Sequence, residues 1–135
     1  MLNNALVHEL VKRAVEARLS AYAPYSQFAV GAAIQTSAGR IYTGCNVENV
    51  SYGLSVCAER VAIWKAVAGG ETEFEAIAVV TDNGGSPCGA CRQVMAEFAP
   101  TMPVIIADLQ GNSRILMVNE LLLEAFLPED LPEKG

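Results

Sequence analysis

Apolar residues recur with helical spacing at the start of the chain. Leu6, Leu10 and Ala14 form one stripe, Val7, Val11 and Val15 widen it, and the pattern predicts an amphipathic helix over Leu2–Leu19. Glu9 and Arg13 stand four apart on its polar side, a helix-supporting pair. Ala23-Pro24 ends the segment. Strand-length apolar runs follow: Phe28–Thr36 and Arg40–Val47 flank Ser37-Ala38-Gly39 and read as a hairpin. Cys57–Ala68 reads as a helix stopped by Gly69-Gly70. Phe74–Thr81 is a strongly apolar strand, Asp82–Ser86 a loop, and Pro87 is placed to open a helix through Phe98. Pro103–Leu109 and Ser113–Val118 are strands joined across Gln110-Gly111-Asn112, Asn119 is expected to cap a short helix over Glu120–Phe126, and residues 128–135 read as a loose tail. Trp64 and Phe98 read as packing residues, Cys45 as an ordinary strand residue and His8 as a solvated side chain.

Strand, helix, strand in the middle of the chain implies parallel neighbours with helices covering the sheet, and the final hairpin sets the fifth strand antiparallel to the fourth. Ligands of open α/β sheets sit at the carboxyl edge of the strands, where both middle helices begin. No linker or repeat divides residues 1–135, so a single domain is expected. A hydrophobic fraction of 52% with 18% charged residues excludes a disordered tail or a coiled coil. The net charge of −6 argues against nucleic acid as a partner. The apolar runs fall far short of the ~20 residues that span a bilayer, and charged residues near the N-terminus interrupt any signal sequence. A soluble cytoplasmic protein in a reducing compartment is therefore expected, where clustered cysteines more often mean metal or catalysis than disulfides.

Two segments carry the chemistry: Cys57-Ala58-Glu59 and Pro87-Cys88-Gly89-Ala90-Cys91, each at the start of a predicted helix. Cys88 and Cys91, three apart, share a face of the first turn, and Cys57 comes from the other helix start. Helix N-termini favour thiolates, and soft thiolates in a tetrahedral set select zinc. Three protein ligands leave a fourth position open, the mark of a catalytic site. Positions two apart on a regular helix do not face each other, so Cys57 must lie in the cap or first turn for Glu59 to work beside it. A carboxylate there can move protons as general acid and base. Competing readings are buried structural thiols, a redox pair, and a closed zinc site with Cys45 as fourth ligand.

The chain resembles the small zinc-dependent cytidine deaminases of pyrimidine salvage over nearly its whole length. The resemblance rests on residues 21–28 (AYAPYSQF), Cys45-Asn46-Val47-Glu48-Asn49, Cys57-Ala58-Glu59-Arg60 and Pro87-Cys88-Gly89-Ala90-Cys91-Arg92-Gln93. The His/Cys-x-Glu and Pro-Cys-x-x-Cys halves are the known signature of zinc deaminases. The resemblance implies a three-layer cytidine deaminase-like α/β fold with a five-stranded mixed sheet, one zinc ion per subunit on Cys57, Cys88 and Cys91, and Glu59 as proton carrier. It implies hydrolysis of cytidine and deoxycytidine at ring C4, with ammonia released. Asn46 and Glu48 are expected to bind ribose, Phe28 to line the site, and the backbone of Ala58 to meet the base edge. Arg60 and Arg92 are expected to temper the charge of the thiolates. The family's short members are homotetramers, which implies a homotetramer for this short chain, and Phe126 resembles a family aromatic that reaches into a neighbour's site, which implies shared sites. The alternatives are a related deaminase of nucleoside antibiotics (blasticidin-type) and a zinc-stabilised interaction module without catalysis.

Overall fold

Strands that are apolar on both faces need cover on both faces. The computed structural model describes residues 2–132 and provides that cover with α1 (Asn4–Arg18) on one side of the sheet and α2 (Ala58–Ala68) and α3 (Gly89–Phe98) on the other. The strands are β1 (Gly31–Thr36), β2 (Ile41–Cys45), β3 (Phe74–Val80), β4 (Pro103–Ala107) and β5 (Ser113–Met117), and a short α4 (Val118–Leu121) follows them. Their order is β2-β1-β3-β4-β5 in one five-stranded sheet. Only β3 and β4 pair in parallel; β1 is antiparallel to both its neighbours, and β5 is antiparallel to β4. The expected mixed sheet and the orientation of its last strand are thus both present.

Period-two alternation sorts the core into two layers. Ile34, Ile77, Val79, Val104 and Ile106 face α2 and α3, while Ala33, Ala76, Ala78, Val80 and Ile105 face Leu10 and Ala14 of α1. The small residues toward α1 let that helix lie close to the sheet. The closest approach on the opposite side is at Gly44 of β2, where an added Cβ would come within 2.4 Å of Ala58 O and 2.6 Å of Ala62 N. Gly44 therefore sets the seat of the first turn of α2, the turn that carries Glu59.

Side-chain bonds move several element boundaries from their expected places. Helix α1 starts at Asn4 because Asn3 caps it, its Oδ1 accepting from Leu6 N at 2.9 Å. Glu9 and Arg13 do approach, at 3.8 Å. Strand β1 starts at Gly31 instead of Phe28. The amide of Asn46 bonds the intervening backbone, donating from Nδ2 to Phe28 O (2.8 Å) and accepting from Val30 N at Oδ1 (2.9 Å). Pro87 precedes the cap of α3 rather than opening its first turn, since Cys88 is the cap. The last helix is shorter and earlier than expected. Glu120 Oε1 accepts from Met117 N at 2.8 Å, placing Asn119 inside α4, and Arg92 Nη1 captures the Leu121 carbonyl at 2.7 Å. The chain then turns extended at Leu122 and left-handed at Glu124 (φ 48°), so that Ala125 and Leu127 reach the core without helix. Trp64 is 49% exposed, with the Arg60 guanidinium carbon 6.0 Å from its ring centroid, whereas Phe98 packs edge-on against Phe74. Of the expected loose tail, Pro128–Asp130 forms a 3-10 turn, and residues 133–135 lie outside the described residues.

Gly44→Ala is expected to push α2 off β2 and to cost about 1–3 kcal/mol, as overpacking does. A thermal melt followed by circular dichroism checks this; an unchanged Tm would mean that α2 shifts freely.

Candidate active site

Both helices of the α2/α3 layer point their N-termini at the carboxyl edge of the sheet. Cys57 is the cap of α2 (φ −75°, ψ 154°) and Cys88 the cap of α3 (φ −68°, ψ 166°). Extended backbone at a cap turns the side chain toward the free N–H groups of the first turn. Cys91 follows one turn later and is buried. The sulfurs of Cys57, Cys88 and Cys91 all lie within 4.8 Å of one another, and Cys57 Sγ is 3.7 Å from Cys88 Sγ. Cys45 is not part of this cluster.

Electrostatics favours thiolate at Cys57. The Cys57 thiol is drawn down to about 5 by hydrogen bonds, the one from Cys91 first and then those from Arg60 and Cys88. Arg60 Nη2 donates to Cys57 Sγ at 3.4 Å. Cys91 moves up, because it donates to Cys57 and is buried. Glu59 is 3% exposed in the first turn of α2, and its carboxyl is pushed up to about 7, by burial first and by the Cys57 charge next. The donor set fits zinc: three convergent soft sulfurs, two helix N-termini and a guanidinium that offsets their charge.

A cavity of about 280 Å³ opens over this cluster. Cys57, Cys88 and Glu59 line it together with Phe28, Asn46 and Glu48. The Glu48 carboxylate is anchored to the 25–26 backbone: Oε1 accepts from Tyr25 N (3.0 Å) and Ser26 N (3.1 Å), and Oε2 accepts from Ser26 Oγ. These bonds, the Ser26 hydroxyl foremost, hold its pKa below the usual carboxylate range. Ala58, expected at the base edge, is fully buried at the start of α2 and is not among the residues that line the cavity.

Two expected residues stand elsewhere. Arg92 does not donate to sulfur through Nε or Nη1; these bond Pro87 O (2.8 Å) and Leu121 O (2.7 Å) and tie the residue before Cys88 to the end of α4. Phe126 is 59% exposed and lies outside the cavity lining, its carbonyl held by Gln93 Nε2 at 2.7 Å. Sequence reasoning passed over Ser26, Thr81 and Ser86, which also line the cavity. Thr81 Oγ1 accepts from Gly85 N (2.9 Å), and Arg114 donates to Gly84 O and Ser86 Oγ (both 3.1 Å), so the loop before Cys88 is pinned from both sides. The available signal was the polar run 81–86 directly after an apolar strand and directly before a ligand motif.

The fold and the cluster define a zinc-binding deaminase. The family model for the cytidine and deoxycytidylate deaminase zinc-binding region matches residues 5–107. The cytidine deaminase of Sporosarcina psychrophila is 50% identical over 128 residues, covering 93% of this chain and 94% of its own. That of Halalkalibacterium halodurans is 50% identical over 125 residues, covering 90% and 95%. Among solved structures, cytidine deaminase from Burkholderia pseudomallei superposes with a TM-score of 0.86 at 49% identity, covering 93% of this chain and 100% of that one. This chain belongs to the cytidine deaminase family.

Replacing Cys57, Cys88 or Cys91 by Ala is expected to lower bound zinc well below that of the unmodified chain, because each removes one of three ligands. Cys45→Ala should retain it. Metal analysis of the purified variants decides this; full occupancy in Cys88→Ala, or loss in Cys45→Ala, would show a different ligand set.

Proposed function

We propose that this chain hydrolyses cytidine and deoxycytidine to uridine and deoxyuridine, releasing ammonia, with one zinc ion per subunit held by Cys57, Cys88 and Cys91. The observation that carries the reading is a buried carboxyl, Glu59, beside three convergent sulfurs, on a cavity that Asn46 and Glu48 also line. When bound, zinc supplies Lewis-acid activation of the attacking water. Glu59 takes the proton that this water gives up and delivers it to ring N3 as the water oxygen bonds to C4. The remaining proton of the new C4 hydroxyl passes through the same carboxylate to the exocyclic nitrogen, the C4–N bond breaks, and ammonia leaves a C4 carbonyl. A carboxyl poised near 7 serves both directions of transfer at neutral pH. The Arg60 guanidinium on Cys57 Sγ draws off part of the thiolate charge.

The cavity chemistry favours a nucleoside over a nucleotide within this family. Among the described residues no lysine or arginine lines it, and its charged side chains are Glu48 and Glu59. A 5′-phosphate there would meet carboxylates without a cation. Among the described residues no helix is long and apolar enough to cross a membrane. This substrate fits a role in pyrimidine salvage. Assembly as a homotetramer, with Phe126 contributed to a neighbour's site, belongs to the same reading; the exposed apolar side chains of Val50, Tyr52, Leu54 and Phe126 offer surface for such contacts.

Glu59→Gln keeps the shape but moves no protons. It is expected to retain zinc and to lose ~10²–10⁴ in rate. When Glu59→Gln chains are refolded together with Phe126→Ala chains, part of the activity should return, because some sites in the hybrids are intact. Near-normal turnover by Glu59→Gln would sink the proton-carrier role, and mixtures as inactive as their parents would sink the shared site.

The zinc chemistry needs only the ring, so selection for a nucleoside must come from the sugar side. A site built to bond a hydroxyl rejects the analogue lacking it by ~10⁴–10⁵. Turnover of cytidine and deoxycytidine is expected, with very little of cytosine, and Glu48→Gln should lower kcat/KM for cytidine without loss of zinc. Equal handling of cytidine and cytosine by the unmodified chain would show that the sugar is not what is read.

A further inference from the structure

Residues 24–28 form no regular element, yet they deliver Phe28 to the cavity, and Gln27 within them is left-handed (φ 57°). A carboxylate offers about four lone-pair sites. Glu48 commits two on Oε1, to Tyr25 N and Ser26 N, and one on Oε2, to Ser26 Oγ. The hydroxyl that donates to Glu48 also accepts from Phe28 N at 3.1 Å. One oxygen thus joins Glu48 and Phe28, both of which line the cavity.

We infer that Ser26 is a positioning residue: its hydroxyl locks the Glu48 carboxylate and Phe28 together and leaves a single acceptor site, on Oε2, for a sugar hydroxyl. This rests on the reading of Glu48 as a sugar-binding residue. The role needs the hydroxyl and not the bulk of the side chain. Ser26 is exposed and contributes nothing to the buried core, so its removal acts on the site and not on the fold. The lock acts through a preformed arrangement, so its loss weakens binding of the ground state and transition state alike and falls on KM.

The test measures kcat and KM for cytidine in Ser26→Ala and Ser26→Thr, with Tm as a control, beside kcat/KM of Glu48→Gln for cytidine and cytosine. Ser26→Ala is expected to raise KM for cytidine about tenfold, the effect of losing one hydrogen bond to a charged group. Its kcat and Tm should change little, and Ser26→Thr, which keeps the hydroxyl, should restore KM. An unchanged KM in Ser26→Ala, or equal impairment of the Ala and Thr variants, overturns the positioning role while Glu48→Gln still shows its own loss of cytidine over cytosine. If Glu48→Gln leaves that ratio untouched, the sugar-binding reading falls, and the positioning role falls with it.

Discussion

Three thiol sulfurs within 4.8 Å of one another are the constraint to which the rest of the molecule answers. Thiolates this close repel and resist burial unless positive potential surrounds them. The chain supplies that potential in two ways: two helix N-termini, with cysteines at both caps, and the Arg60 guanidinium. Both helices must then start at one point, which requires a strand ending beneath each of them. The sheet order β2-β1-β3-β4-β5 satisfies this, because the carboxyl ends of β2 and β3 fall on the same edge. Gly44 lets α2 settle on β2, and the pinned 81–86 loop delivers Cys88 from β3.

Burial of Glu59 follows from the same packing. Its neighbours in the first turns of α2, Ala58, Ala62 and Ile63, are all fully buried, and the carboxyl beside them loses its solvation. Desolvation raises its pKa toward neutrality, which suits the proton transfers proposed for it. One structural cause, the seating of α2 against the sheet, therefore brings the sulfur cluster and the Glu59 carboxyl together.

The part of the cavity lined by Phe28, Asn46 and Glu48 is built by another physical device. Between Tyr22 and Val30 the chain has almost no strand pairing, and side chains replace the missing backbone bonds. Asn46 fills the ladder at Phe28 and Val30, and Glu48 gathers Tyr25 and Ser26. Polar side chains suited to a sugar are thereby also the supports of the loop that carries Phe28. Binding groups that are already hydrogen-bonded hold their geometry before the ligand arrives, which limits the ordering cost on binding.

The local signals were legible in the amino-acid sequence. Alternation and helical spacing gave the sheet and its covering helices, because both depend on which face of an element is apolar. The Cys-x-Glu and Cys-x-x-Cys spacings placed Cys57 and Cys88 at helix starts, since caps and first turns are set by neighbours in the chain. Tertiary structure alone decided the rest. The start of β1, the partners of Glu48, the end of α4 and the bonds of Arg92 depend on side chains meeting backbone 18, 23 and 29 positions away. Trp64 has the composition of a core residue but sits where α2 faces outward. Periodicity reports a residue's own element and is silent on what a distant segment brings to it. The chemistry of this protein was therefore written in short spacings, and the shape of the pocket around it arose from long-range hydrogen bonds that no spacing records.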